Sequence, residues 1–182
     1  MNLPNKLTML RVLMIPFVVF ALLYPGFGKA GDIAALILYI AACLTDFADG
    51  QIARRCNLIT NFGKFMDPLA DKLLVCSVMI CLVALDRLQA WIVIIIICRE
   101  FTISGFRLIA AENQIVIAAS WWGKWKTVCQ MAMSILLILN LQNPVYVMLA
   151  TVVTYAALIL TVISLIDYIV KNRSVLKEQS RT

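Results

Sequence analysis

Residues 46–71 read D-F-A-D-G-Q-I-A-R-R-C-N-L-I-T-N-F-G-K-F-M-D-P-L-A-D and carry four aspartates, Asp46, Asp49, Asp67 and Asp71. Long apolar runs flank this stretch on both sides. An ionisable side chain at membrane depth is expensive, so such residues are rare and mark functional sites. Here four of the chain's ten acidic residues fall within 26 positions. Their charge has to be neutralised, and whatever neutralises it is expected to take part in the chemistry.

Working outward, the 182 residues suit one domain, and a hydrophobic fraction of 63% lies well above the soluble average of about half. The composition predicts an all-α integral membrane protein. Crossing lipid as a helix takes about 20 mostly apolar residues, because backbone polar groups must be satisfied within the segment. Six stretches qualify: about 7–24, 32–55, 64–85, 90–112, 121–141 and 145–170. Pro25, Gly26 and Gly28 separate the first two, Asp86 to Gln89 the third and fourth, and Asn143-Pro144 the last two. Residues 2–6 are expected to lie along the interface before the first span. No small-residue cleavage site follows the first apolar run, so a cleaved signal peptide is not expected.

Six spans put both termini on one side. That side collects every lysine and arginine except Lys29 and Arg87, fourteen of sixteen, and is therefore predicted to be cytoplasmic. All four aspartates fall at this face, at the cytoplasmic ends of helices 2 and 3. The net charge of +6 then reflects topology and attraction to anionic membrane lipid, and no nucleic-acid module is expected. Trp121, Trp122 and Trp125 read as an interfacial aromatic belt. Asp167 is expected to pair with a cation of the basic tail that begins at Lys171.

Histidine is absent, which removes the commonest general base and transition-metal ligand. The six cysteines form no C-x-x-C pair and imply no disulfide framework. Asp46 and Asp49 are spaced i, i+3 on the second helix, and Asp67 and Asp71 i, i+4 on the third. A short connection makes the two helices antiparallel neighbours, so four carboxylates can converge. Two divalent cations would balance them. All-oxygen ligands favour Mg²⁺, Mn²⁺ or Ca²⁺ over zinc or copper. Gly50 and Gly63 would let a ligand or the facing helix approach closely, and Arg54 suits a phosphate oxygen.

The pattern D-x2-D-G-x2-A-R-x8-G-x3-D-x3-D is met at Asp46, Asp49, Gly50, Ala53, Arg54, Gly63, Asp67 and Asp71. It resembles the signature of the CDP-alcohol phosphotransferase family. The resemblance implies a six-helix membrane enzyme, usually a homodimer, whose site opens to the cytosol. There a CDP-linked lipid or alcohol donates a phosphoryl-containing group to a second alcohol and CMP leaves. It further implies that Asp46, Asp49 and Asp67 ligate Mg²⁺ or Mn²⁺, with Asp71 as general base and a further metal contact. Gly50, Ala53 and Arg54 would line the cytidine and diphosphate side.

Residues 2–11 (N-L-P-N-K-L-T-M-L-R), 63–72, 98–107 and 122–127 are similar to bacterial family members that use CDP-diacylglycerol and sn-glycerol 3-phosphate. This implies a bacterial cytoplasmic membrane location. A doubly anionic acceptor needs cations, and Arg11, Arg99, Arg107, Lys124 and Lys126 stand at cytoplasmic helix ends. The competing reading for Arg99 and Lys126 is snorkelling to lipid headgroups. Glu100 would partner Arg99 or hold it toward a phosphate. Asn5, Thr8 and Arg11 could reach the donor's phosphates, although Thr8 could equally bond its own helix. Two alternatives stand beside this one: a sister transferase using serine, an inositol phosphate or phosphatidylglycerol, and a divalent-cation transporter.

Overall fold

The computed structural model describes residues 3–55, 61–112 and 120–171, with side chains placed at 7–45, 66, 69–108 and 120–171. The described chain is entirely helical. Six helices follow one another: α1 Leu3–Leu23, α2 Gly28–Arg55, α3 Asn61–Ala84, α4 Ala90–Glu112, α5 Trp121–Leu139 and α6 Pro144–Lys171. The first helix already begins at Leu3, a few residues ahead of the expected start near residue 7. Pro16 sits within α1 without ending it.

The helix boundaries have local causes. A Cβ on Gly31 would collide with the Ala21 carbonyl oxygen and the Phe27 Cβ, so only glycine allows α1 and α2 to approach this closely. The turn between them carries Phe20, Tyr24 and Phe27 as a packed aromatic trio. At the end of α3, Asp86 adopts a left-handed φ of 55°. The Arg87 amide donates to the Leu82 carbonyl (2.9 Å) and the Asp86 amide to that of Val83 (3.0 Å). This paired closure satisfies carbonyls that the helix end would otherwise orphan. Ser120 caps α5 by accepting from the Gly123 amide at 3.2 Å. Asn143 caps α6 by accepting from Val145 at 2.9 Å, with Pro144 as first helical residue.

The chain divides into two compact units. The first comprises residues 1–89 and 134–141, the second residues 90–133 and 142–182. In the first, α1 packs against both α2 and α3, and α2 also meets α3. Its core includes Val18, Tyr39, Leu74, Met79, Leu82 and Ile138. Asp32, in the first turns of α2, meets Arg87 across this unit. In the second unit α4 packs on α6, and α6 buries Ala150, Thr154, Ala157, Leu158, Thr161, Ser164 and Tyr168. The hydroxyls on that stripe bond back to their own helix: Thr154 to Ala150 at 2.7 Å and Thr161 to Ala157 at 2.6 Å. Such back-bonding lets polar residues face inward with their hydroxyls satisfied.

Large apolar side chains point outward along the helices, among them Phe17, Ile37, Leu44, Ile80, Ile94, Val145 and Met148. A soluble protein rarely exposes so many large apolar side chains. Two described segments, Gly28–Thr45 and Pro144–Lys171, are long and apolar enough to cross a membrane, and Leu7–Leu23 is a shorter apolar one.

Candidate active site

The first unit carries the aspartates. Asp46, Asp49, Gly50, Ala53 and Arg54 lie on the last turns of α2, Gly63 and Asp67 on the first turns of α3. Their side chains, like that of Asn5 on α1, lie outside the described ones. Asp71 is described and is half-buried. Five residues join α2 to α3, and even fully extended they span only about 20 Å, so the two helix ends lie near each other. One proximity bears on their relative direction. Tyr39, two turns before Asp46, is fully buried, and its hydroxyl is turned toward Cys43 and Ser134, within electrostatic reach of Asp71. It closes no hydrogen bond of ordinary geometry there. Positions 39 and 71 within electrostatic reach of each other, with helix ends at 55 and 61, accord with antiparallel helices.

Thr8 and Arg11, spaced i, i+3 on α1, are both fully buried. With Val18 and Leu22 they form the inner face of a helix that packs on α2 and α3. An arginine is buried only where anionic or dipolar groups compensate it. Arg11 therefore belongs to the unit of the aspartates, whereas the other four expected acceptor cations belong to the second.

In that second unit Glu100 holds two cations. Its Oε1 receives Arg99 Nη1 at 3.0 Å and also the Lys126 ammonium. The Lys126 side chain is only 3% exposed, so this lysine is no headgroup snorkeler. Arg99 is buried as well, and its Nε makes no hydrogen bond among the described residues. A Cβ on Gly123 would stand 3.7 Å from Arg99 Nη2, so the glycine leaves room beside the guanidinium. Arg107 and Lys124 are exposed. The buried ring of Tyr168 on α6 lies 6.2 Å from that of Phe106, the residue before Arg107.

Trp121, Trp122 and Trp125 are exposed, and Trp121 meets Trp125 edge-on, which suits an interfacial belt. Asp167 pairs with Lys171 at 2.7 Å as anticipated. None of the five described cysteines is in a disulfide, and Cys56 lies outside the described residues. Three buried residues escaped the sequence reading: Asp32, Tyr39 and Tyr168. Asp32 had a signal, since a lone acid inside an apolar helix demands a cation. The two tyrosines had none, because aromatic residues in apolar helices read simply as packing.

With no histidine, the donors available beside the α2 and α3 ends are carboxylate oxygens, which fit a hard divalent cation. Among the described residues no three acidic or thiol side chains gather, and the carboxylates of Asp46, Asp49 and Asp67 lie outside them.

The family model described as CDP-alcohol phosphatidyltransferase matches residues 1–163, and the chain belongs to that family. Among curated relatives, the CDP-diacylglycerol–glycerol-3-phosphate 3-phosphatidyltransferase of Bacillus subtilis (strain 168) is 45% identical over 188 residues, covering 97% of each chain. The enzyme of the same name from Haemophilus influenzae is 40% identical over 174 residues, covering 92% of this chain and 91% of its own. A probable phosphatidylglycerophosphate synthase of Mycobacterium tuberculosis is 42% identical over 171 residues, 93% of this chain and 81% of that protein.

Proposed function

We propose that the protein transfers the phosphatidyl group of CDP-diacylglycerol to the 1-hydroxyl of sn-glycerol 3-phosphate, giving phosphatidylglycerophosphate and CMP. One observation carries the reading. All eight fixed positions of the aspartate signature are met within a chain that is 45% identical, end to end, to a relative named for this reaction. The relatives' names favour this acceptor over serine, inositol phosphate or phosphatidylglycerol, and favour an enzyme over a cation transporter.

In this reading all six helices span the bacterial cytoplasmic membrane, the chain works as a homodimer, and the site faces the cytosol. Asp46, Asp49, Asp67 and Asp71 would hold two Mg²⁺ or Mn²⁺ ions. Bound there, the ions would neutralise the diphosphate and stabilise departing CMP. Gly50, Ala53, Arg54 and Gly63 line the cytidine and diphosphate side, and Asn5 and Thr8 approach it from α1. The acceptor oxygen attacks the phosphorus bearing the diacylglycerol, and the bond from that phosphorus to the CMP oxygen breaks. Asp71 takes the hydroxyl proton. A carboxylate beside cations is a weak base, so the proton moves late and positioning supplies most of the acceleration. Arg11, Arg99, Arg107, Lys124 and Lys126 are the cations assigned to the acceptor's phosphate.

The test is a panel of labelled acceptors offered to vesicles holding the pure protein and CDP-diacylglycerol. Label should enter lipid from sn-glycerol 3-phosphate. Entry from serine or inositol phosphate instead would overturn the assignment.

A further inference from the structure

Arg99 presents two sides to its surroundings. Glu100 takes one of them: its Oε1 receives Nη1 at 3.0 Å and also binds Lys126 of α5, so the guanidinium is held between two helices. The other side is the edge formed by Nε and Nη2. Only 10% of the side chain is exposed, and Nε is buried with no hydrogen bond among the described residues. A buried N–H without an acceptor is costly, so this edge calls for a partner of its own. Nη2 stands beside the first turn of α5. The point that a Cβ on Gly123 would occupy lies 3.7 Å from Nη2 and 3.7 Å from the Ser120 hydroxyl oxygen.

We infer that the Nε–Nη2 edge of Arg99 and the first turn of α5 together seat one phosphate monoester, with Gly123 keeping the space open. This deepens the acceptor reading above and rests on it. Two parallel N–H bonds from a guanidinium edge match two oxygens of one phosphate. Ser120 accepts from the Gly123 amide at 3.2 Å, which fixes its oxygen and leaves its proton to donate. The amides of Trp121 and Trp122 open α5 and have no acceptor within the helix, and the helix dipole adds positive potential at this end. Nη2 and the serine hydroxyl flank the same small space, so a single tetrahedral anion can touch both. The free protein gives glycine no other reason to stand here. Position 123 lacks the left-handed φ that would call for it, and a Cβ would meet only ordinary contacts. The volume a methyl group would fill is the volume the anion needs.

Gly123→Ala fills that space and leaves Arg99, Glu100 and Lys126 as they are. Alanine is also the better helix former, so the thermal midpoint should not fall. Steady-state kinetics in vesicles should show the KM for sn-glycerol 3-phosphate rising about tenfold, with kcat and the KM for CDP-diacylglycerol unchanged. Inorganic phosphate should compete with the acceptor in the parent, and its inhibition constant should rise by the same factor in the variant. An unchanged acceptor KM overturns the inference while the acceptor assignment stands, provided the parent transfers to sn-glycerol 3-phosphate. A rise in the KM for CDP-diacylglycerol instead would put a lipid phosphate in the seat, which also overturns it. So does a parent in which inorganic phosphate fails to compete, whether or not the variant folds. A parent protein inactive with sn-glycerol 3-phosphate sinks the acceptor reading itself.

Discussion

Arg87 grips Asp32 with both arms of its guanidinium, Nη1 to Oδ1 at 2.8 Å and Nη2 to Oδ2 at 3.0 Å, across 55 residues of chain. Nη1 also donates to the Ile138 carbonyl at 3.0 Å. One side chain thereby ties the start of α2, the α3–α4 turn and the end of α5 within the first unit. The left-handed closure at Asp86 aims Arg87 at this spot. The pair lies at the opposite end of α2 from the aspartate signature, so its role is to brace the helices that carry the site.

Removing one partner leaves a largely buried charge, with side-chain exposures of 17% for Arg87 and 9% for Asp32. Arg87→Met should lower unfolding stability in detergent by about 3 kcal/mol. Combining it with Asp32→Asn should cost clearly less than the sum of the single changes. Strict additivity would show that the two groups do not act as a pair.

Asp71→Asn keeps the shape of the side chain and loses its basicity. Transfer should fall about a thousandfold or more, while binding of CDP-diacylglycerol persists. Rapid-quench turnover and a separate donor-binding measurement check the two halves. Asp46→Asn should instead raise the divalent-ion concentration needed for half-maximal rate.

Glu100→Gln leaves Arg99 and Lys126, buried as they are, without their carboxylate. Thermal unfolding should report a loss of about 3 kcal/mol. Lys124→Ala, at an exposed position, should stay within about 0.5 kcal/mol of the parent.

Much of the architecture is legible in the residues. Pro25-Gly26, Asn143-Pro144 and the polar turn after Leu85 mark helix ends because each carries a conformational or capping demand. Observed boundaries fall within a few residues of these marks. The spacing of the aspartates gives their helices and, through the short link, their common end. Partnerships between distant segments are not legible in the same way. Nothing near Lys126 says that it meets Glu100, and a lysine beside tryptophans fits a headgroup equally well. Only the packing of α4 and α5 residues in the second unit separates the two. Arg11 shows the same limit: its position on α1 reads as a helix end near solvent, yet that face turns inward toward α2 and α3.

Arg107→Ala removes a cation assigned to the acceptor's phosphate. Since that charge is present in ground and transition states alike, the KM for sn-glycerol 3-phosphate should rise at least tenfold with kcat nearly kept, a difference of about 1.4 kcal/mol or more. An unchanged KM would exclude Arg107 from the pocket.

The central claim is that the aspartates of α2 and α3 work with divalent cations on a CDP-linked lipid. Its most direct test is CMP release from CDP-diacylglycerol by pure protein in vesicles, with sn-glycerol 3-phosphate present and all divalent ions chelated. The account predicts no release until Mg²⁺ or Mn²⁺ is returned, then release matched one for one by labelled glycerol phosphate entering lipid. Full-rate release from the chelated protein would contradict it.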